Sequence, residues 1–518
     1  MWFLPVRFTR FPIIIYLTLF FSAQIAAGHT APDMRITGSH VLIVVVDGLR
    51  PDYVTDQIMP ALAGIKRNGF EGRNHHAVYP TSTRINSASI ATGSYPQTHG
   101  LLNNTLYLPD LDIKRKFDTG KATDLQLIEK GTAGQLLTAE TLGGVLSRYN
   151  KKLFISGSGS SGSAYLLSSH TDNCMLVHRQ LTVPDSLMEI VEERIGPPEE
   201  DEDYPHIKRI KWSVDALLQV GIDQDQADVL VLWITEPDGS AHSGGIGSPL
   251  CMRALQAVDT EIARLLNGLR ERRLSDKTNI FFISDHGFST RTGNRSLTSL
   301  LIENRLKSAK SSTDVVIAND AVYVNEDKSD RLPAIVQLLQ RTSWIGPVFT
   351  RGTDPQSMQG YLPGTLSFNA VMWDHPRSAD ILTAGNWTGQ SNEYGFPGTV
   401  MLPGKAGHNS TSPYDIHASF FATGPDIKIQ ESSSVPTGNV DIAPTALYLL
   451  GVDVPDRMDG RVIREVLRSG PPVSAVEVRS KKYTAETTAG DRHYQTVLYK
   501  SFVDGTAYLD STVTTRNP

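Results

Sequence analysis

The chain has 518 residues, 40% hydrophobic and 20% charged, an ordinary globular composition with length for one large or two medium cores. A formal net charge of -6 argues against a general nucleic-acid or anionic-membrane binder, which would carry a basic excess. Only two cysteines are present, Cys174 and Cys251, with no CxxC, so the chain does not rest on a disulfide framework.

At the N-terminus, Arg7 and Arg10 precede the apolar run FPIIIYLTLFFS, and small residues follow in SAQIAAG. A basic start, a short apolar core and a small-residue exit predict a secretory signal peptide over 1–27, removed near Ala27. An uncleaved membrane anchor is the rival reading, although the run is short for a bilayer-spanning helix. No second apolar segment is long enough to cross a membrane, so the mature chain is expected to carry no membrane span.

Three later segments share one grammar. VLIVVVDG (41–48), VLVLWITEPD (229–238) and NIFFISDHG (279–287) each run apolar, β-prone residues straight into an aspartate and a turn. Apolar runs without alternation predict strands buried on both faces, as in a parallel sheet covered by helices. A helical pattern such as MRALQAVDTEIARLLNGLRERR lies between the second and third. Strands alternating with helices give an α/β fold, a sandwich with a mostly parallel central sheet, over 38–296 as the first part of a catalytic core. In such sheets ligands gather at the carboxyl ends of the strands.

From 297 to 400 the chain is richer in Gly, Pro, Ser and Trp, and reads as an inserted smaller lobe flanking the site. Core patterning returns over 401–470 with HASFFATGPDIKI and DIAPTALYLLGV. The last part, 471–518, reads as C-terminal strands, with a short antiparallel hairpin turning at Asp504-Gly505.

Several residues on this scaffold are candidates for chemistry. Asp238 and His242 stand four apart in EPDGSAH, Asp285 and His286 are adjacent in SDHG, Asp47 ends the first apolar run, and His408 lies in KAGHNSTSPYD. Oxygen and nitrogen donors without thiolate suit zinc or another first-row dication. Singly, a strand-end Asp is more often a turn or helix cap and a loop His a plain hydrogen-bonding residue; three aspartates delivered to one sheet edge favour a metal. In YPTSTRIN, Thr83 stands where a small-residue helix begins, and a neutral hydroxyl there needs activation to act as a nucleophile. A helix N-terminus favours an anion, and a pair of metals suits in-line displacement at phosphorus. Asn104, in LLNNT, is placed to donate to an oxygen that gains charge. His75 and His76 are adjacent and diverge, His99 is read as fixing its own loop and Asn103 as plain loop, while His417, the alternative to His408 as a ligand, sits in the apolar run IHASFF and reads as a core histidine or one that supports a ligand.

The motifs VVVDGLRPDY, YPTSTRIN, ATGSYPQTHGLLNN, EPDGSAH, SDHG and AGHNSTSPYD, in this order, resemble those of the type I phosphodiesterase and nucleotide pyrophosphatase family of the alkaline phosphatase superfamily. The resemblance runs from about Val41 to Arg461, where DIAPTALYLLGV and MDGR resemble the closing helix of that core. It implies an alkaline-phosphatase-like α/β/α core with a binuclear zinc site, Asp238, His242 and His408 holding one metal and Asp47, Asp285 and His286 the other, which also binds the Thr83 oxygen. Thr83 would form a covalent intermediate that water hydrolyses, and Asn104 would stabilise the transition state. The implied substrate is a small phosphodiester or nucleotide.

Two places depart from the pattern: the loop at His408, which reads HNSTSPYD where many members carry His-Gly-Tyr, and the position after Thr83. Where many members carry an aromatic residue after the nucleophile, this chain has Arg84, which could contact a second phosphate or an acidic leaving group, or point to solvent. Arg84 leaves the nucleotide preference open, and phosphomonoesterase and phosphonate hydrolase activities, which occur within the superfamily, stand as alternatives on the same scaffold. A sulfatase does not, because neither cysteine lies in the signature such enzymes need. A metal-bearing binding protein without turnover is the third reading, and it leaves Thr83 and Asn104 unexplained.

Overall fold

Val41–Val46, Val229–Ile234 and Ile280–Ile283 are buried along their whole length. In the computed structural model, which describes residues 1–2, 38–168 and 171–517, they form the centre of a nine-stranded sheet. The expected signal segment lies, but for its first two residues, outside the described residues. The chain divides into Met1–Arg35 and Ile36–Pro518; the second unit is described below.

The sheet runs in the order Glu431–Ser433, Phe70–Gly72, Phe420–Thr423, Thr278–Ile283, His40–Val46, Val229–Ile234, Leu153–Gly157, Cys174–His178, Leu181–Val183. His40–Val46 pairs in parallel with both neighbours, and the parallel run continues to Cys174–His178. Antiparallel partners close it at Phe420–Thr423 and Leu181–Val183. Successive side chains point to opposite faces, and here both faces are covered. Leu42, Val44 and Val46 pack with the Pro249–Glu271 helix, while Val41, Ile43 and Val45 pack with the Ile442–Leu449 helix. That double burial is why the strand sequences do not alternate. The fold is the mixed α/β sandwich expected, with the register pairing Val46 to Ile234 and Val45 to Ile283, so the three central strands end nearly level.

Within 297–400 the chain builds a separate five-stranded sheet from Val315–Ala318, Ala321–Val324, Ile381–Gly385, Ile345–Thr350 and Leu366–Ser367, backed by the Leu332–Arg341 helix. Trp387–Ser391 and Pro397–Pro403 instead join Ser289–Gly293 and Ala406–Gly407 in a four-stranded sheet, which ties the segment after Asp285 to the one before His408. The C-terminus is larger than a short hairpin. Arg479–Ala489, Arg492–Val503 and Thr506–Asn517 form a three-stranded antiparallel sheet, whose second turn is Asp504-Gly505, both at positive φ. Its first strand was not legible because its residues, RSKKYTAETTA, are mostly exposed and carry no apolar alternation. Cys251 is a buried free thiol beside the Tyr53 hydroxyl.

Candidate functional site

Level strand ends deliver the carboxylates. Asp47 directly follows His40–Val46, Asp285 stands two residues beyond Thr278–Ile283, and Asp238 opens the short helix Asp238–Gly244 after Val229–Ile234. That helix puts His242 one turn after Asp238 on the same face. His408 comes from the loop after Ala406–Gly407, on the far side of the sequence. With His286, which follows Asp285, the six residues converge.

His286 is the common member. Its Nε2 lies 3.2 Å from Asp285 Oδ2, 3.6 Å from Asp47 Oδ1 and 4.0 Å from Asp238 Oδ1. Asp238 Oδ1 is also 3.4 Å from His242 Nε2 and 3.6 Å from His408 Nε2. The His286 and His408 rings stack with centroids 3.7 Å apart. Two groups of donor atoms are close enough to hold an ion, Asp47 with Asp285 and His286, and Asp238 with His286 and His408. The first is the expected trio. The second includes His286 where the expected trio has His242, whose Nε2 lies 3.4 Å from the same Asp238 oxygen.

Three observations fit these residues to metal ions. Asp47 Oδ1, Asp238 Oδ1 and Asp285 Oδ2 are buried and accept no hydrogen bond, although a buried polar atom is normally satisfied. The other oxygens of Asp47 and Asp285 are held: Asp47 Oδ2 accepts the Trp233 indole N–H at 3.1 Å, and Asp285 Oδ1 accepts the backbone N–H groups of Gly48 and His286 at 3.0 Å each. Every imidazole is likewise anchored by Nδ1, His242 to the Ala406 carbonyl, His286 to Gly287 and His408 to Thr81, at 3.0, 3.0 and 2.7 Å. An Nδ1–H donating to a carbonyl leaves the Nε2 lone pair facing inward, the arrangement of a ligating histidine.

The electrostatics agree. Burial, with the Asp285 and Asp238 charges, holds the Asp47 carboxyl well above its usual range, and burial also raises Asp285. Burial opposes ionisation of Asp238, but the facing His242 imidazole, itself raised by Asp238, outweighs it and holds that carboxyl low. Burial and the neighbouring His286 keep His408 neutral. Three converging carboxylates repel one another until a cation joins them.

Thr83 is the first residue of the Thr83–Thr92 helix, whose small side chains let it lie almost wholly buried. Its Oγ1 is 3.3 Å from His286 Nε2, so the structure brings it to the carboxylate–imidazole group. The Asn104 side chain accepts the Arg84 backbone N–H at 3.2 Å, which leaves its amide nitrogen to donate beside the helix start. Arg84 is half-buried, its Nη2 packed on Gly120 and its Nε buried without a hydrogen-bond partner. Its charge also reaches Asp47.

The histidines set aside are satisfied elsewhere. His75 bonds Thr437 and Asn439, His76 bonds the Thr437 carbonyl and Asp510, and the His417 ring packs edge-on to His76. Asn103 is more than plain loop: its Oδ1 accepts from the Asn104 N–H at 2.8 Å and from the Ser82 hydroxyl at 3.4 Å. Sequence reasoning missed Trp233, Asn86 and Asn439. Asn439 Nδ2 donates to Asn86 Oδ1 at 2.9 Å and to the Asp285 carbonyl at 3.0 Å, and Asn86 Nδ2 donates to the Ser82 carbonyl at 3.0 Å. This buried chain ties the start of the Thr83 helix to the Asp285 turn. The motif YPTSTRIN contains Asn86, yet nothing in it tells an inward-facing amide from a helix-surface one.

The architecture is that of the alkaline phosphatases. A mutant of the alkaline phosphatase PafA superposes with a TM-score of 0.62 at 16% identity, over 83% of this chain and 99% of that one. Murine ectonucleotide pyrophosphatase / phosphodiesterase 5 superposes with a TM-score of 0.56 at 17% identity, over 83% of this chain and 100% of that one. The chain belongs to the type I phosphodiesterase / nucleotide pyrophosphatase family, whose sequence model matches residues 41–393. Venom phosphodiesterase 2 of Crotalus adamanteus is 27% identical over 264 residues, 51% of this chain and 28% of that protein. Ectonucleotide pyrophosphatase/phosphodiesterase family member 3 of Mus musculus is 26% identical over 260 residues, 48% of this chain and 24% of that protein. The matched stretch spans about a quarter of the length of these curated relatives.

Proposed function

We propose that this protein is a metal-dependent hydrolase of phosphodiester or pyrophosphate bonds, with Thr83 as its nucleophile. The carrying observation is the 3.3 Å approach of Thr83 Oγ1 to His286 Nε2, the imidazole shared by both donor groups. Asp47, Asp285 and His286 would hold one ion and Asp238, His242 and His408 the other. Two divalent ions, zinc by the character of the donors, would when bound favour the ionised Thr83 hydroxyl and offset charge on the attacking and departing oxygens.

The chain's own groups do the rest. Thr83 Oγ1 forms the new P–O bond as the ester or anhydride oxygen leaves, and water later breaks the Thr83 ester to release the second product. The Asn104 amide donates to a nonbridging oxygen that gains charge. The helix start adds oriented N–H groups. Trp233 and the Gly48 N–H keep the Asp47 and Asp285 carboxylates from rotating away.

Arg84 favours a second reading on the same machinery. A half-buried guanidinium without a partner for Nε, beside the nucleophile, suits a substrate with an additional anionic group. That fits a nucleoside polyphosphate, and equally a phosphomonoester or a phosphonate. Export from the cytoplasm, released or anchored, is part of the proposal; it is supported by the basic and apolar start of the sequence and by relatives named as venom and ecto-enzymes. Among the described residues no helix is long and apolar enough to cross a membrane.

The test is turnover of bis(p-nitrophenyl) phosphate, p-nitrophenyl phosphate and ATP by metal-loaded wild type, Thr83→Ala and Arg84→Ala. Thr83→Ala is expected to lower kcat by at least about 10³-fold with metal content unchanged, as loss of a nucleophile does. Retention of full turnover by Thr83→Ala would contradict the mechanism. Arg84→Ala is expected to raise KM for ATP and p-nitrophenyl phosphate more than for the diester.

A further inference from the structure

Away from the carboxylates and imidazoles, the molecule gathers four lysines in one hollow. Lys114 and Lys116 stand on the hairpin formed by Thr105–Tyr107 and Lys116–Asp118. Lys307 and Lys310 follow the Leu297–Glu303 helix. The two segments, about 190 residues apart in sequence by their numbering, meet across a hollow of about 180 Å³ whose wall carries these four lysines, the hydroxyls of Thr298 and Thr313, and no carboxylate.

None of the four ammonium groups forms an ion pair among the described residues, in a chain whose net charge is -6. The nearby acids are engaged. Asp314 accepts from Arg331, Ser308 and Ser312, and Asp112 accepts the Lys114 backbone N–H at 2.8 Å. Lys307 is 3% exposed and spends its ammonium protons on Ser312 and the Val315 carbonyl. It thus holds the 312–315 turn as one wall and contributes a fixed charge. Lys116 gives one proton to the Ile317 carbonyl at 3.0 Å and keeps two. The Lys114 and Lys310 ammonium groups donate to nothing in the described residues. Like charges converging without counterions create a positive potential that an anion relieves, and spare N–H donors beside hydroxyls supply its hydrogen bonds.

We propose that this hollow is an anion site for a phosphoryl or sulfuryl oxyanion, separate from the Thr83 centre. Its position suggests two sources of the same chemistry. The hairpin begins directly after Asn104, and its other strand ends at Asp118, whose Oδ1 lies at Gly120 beside Arg84. From Asp118 to Lys116 is two residues, about 7 Å of extended chain. A phosphate tail reaching past Arg84 is one source, and this version rests on the proposed hydrolase reading. A free oxyanion is the other, and it does not.

The test uses crystals of the metal-loaded full chain soaked in sodium tungstate and mapped by tungsten anomalous scattering. A peak within hydrogen-bond reach of Lys114, Lys116 and Lys310 is expected. It should vanish in the Lys114→Gln/Lys116→Gln/Lys310→Gln variant, whose substitutions are exposed and leave Lys307 in place. Absence of a peak in the wild-type hollow, or its persistence in the variant, overturns the proposal whatever the enzyme hydrolyses. Steady-state kinetics separate the sources. A KM for ATP raised about tenfold in the variant, as lost charge-assisted contacts predict, with KM for bis(p-nitrophenyl) phosphate unchanged, assigns the substrate tail. Loss of the peak with both KM values unchanged assigns the free oxyanion.

Discussion

Histidine tautomers decide much of this molecule at the level of single residues. The inward-facing imidazoles all place Nδ1 at a backbone carbonyl, so His242, His286 and His408 present Nε2 in common. His99 shows the opposite arrangement. Its Nδ1 accepts the Leu101 N–H at 3.1 Å, which puts the proton on Nε2, 3.1 Å from Ser89 Oγ, and a second proton has no place. Burial foremost, with the nearby His375, lowers the His99 pKa to about 3. The unfolded chain takes up a proton near pH 6.5, and the folded one does not until far lower. The stability that His99 contributes is therefore complete above pH 6.5 and is lost as pH falls toward 3. Between pH 6.5 and 5 the stability gap between wild type and His99→Gln should shrink by roughly 2 kcal/mol, measured by urea unfolding at both pH values. A gap independent of pH would show that His99 is protonated in the native state.

Glycines set how closely elements approach the site. A Cβ on Gly287 would lie 2.1 Å from the Tyr414 carbonyl oxygen and 2.8 Å from that of His417. The Gly287 N–H donates to the Asp415 carbonyl at 2.8 Å, so the turn bearing Asp285 and His286 is pressed backbone to backbone against the Pro413–Ile416 helix. Gly287→Ala is expected to push that turn outward, costing about 1–3 kcal/mol as overpacking does and lowering metal affinity, readable by denaturation and by metal titration. A variant of wild-type stability and affinity would mean the turn can move freely. The glycine of SDHG was visible in the sequence, but its reason was not, since Tyr414 lies more than a hundred residues away. The three aspartates were legible because each ends an unbroken apolar run, and burial on both faces forces such runs to the centre of a sheet. The bond between Asn439 and Asn86 was not, because one buried amide looks like any other in a string of letters.

Across the whole molecule, the C-terminal sheet fastens the other parts together. Arg516 donates to the carbonyls of Gln340 and Ile345, and the Thr512 N–H donates to the Thr411 carbonyl, three residues beyond His408. The Tyr508 hydroxyl reaches Asp441 beside Asn439. The last strand thus braces the loop of His408 and the five-stranded sheet at once. Sequence periodicity identified strands here but not what they fasten, because the partners are backbone carbonyls, which every residue carries. With these braces in place, the Asp and His groups remain gathered at one sheet edge, where bound cations would relieve their charge. The direct test is an anomalous-scattering map at the zinc edge from crystals of the zinc-loaded full chain. Two peaks are predicted, one within bonding distance of Asp47, Asp285 and His286 beside Thr83 Oγ1, the other of Asp238, His242 and His408. A map with no peak among these residues, or with zinc bound only elsewhere, would contradict the account.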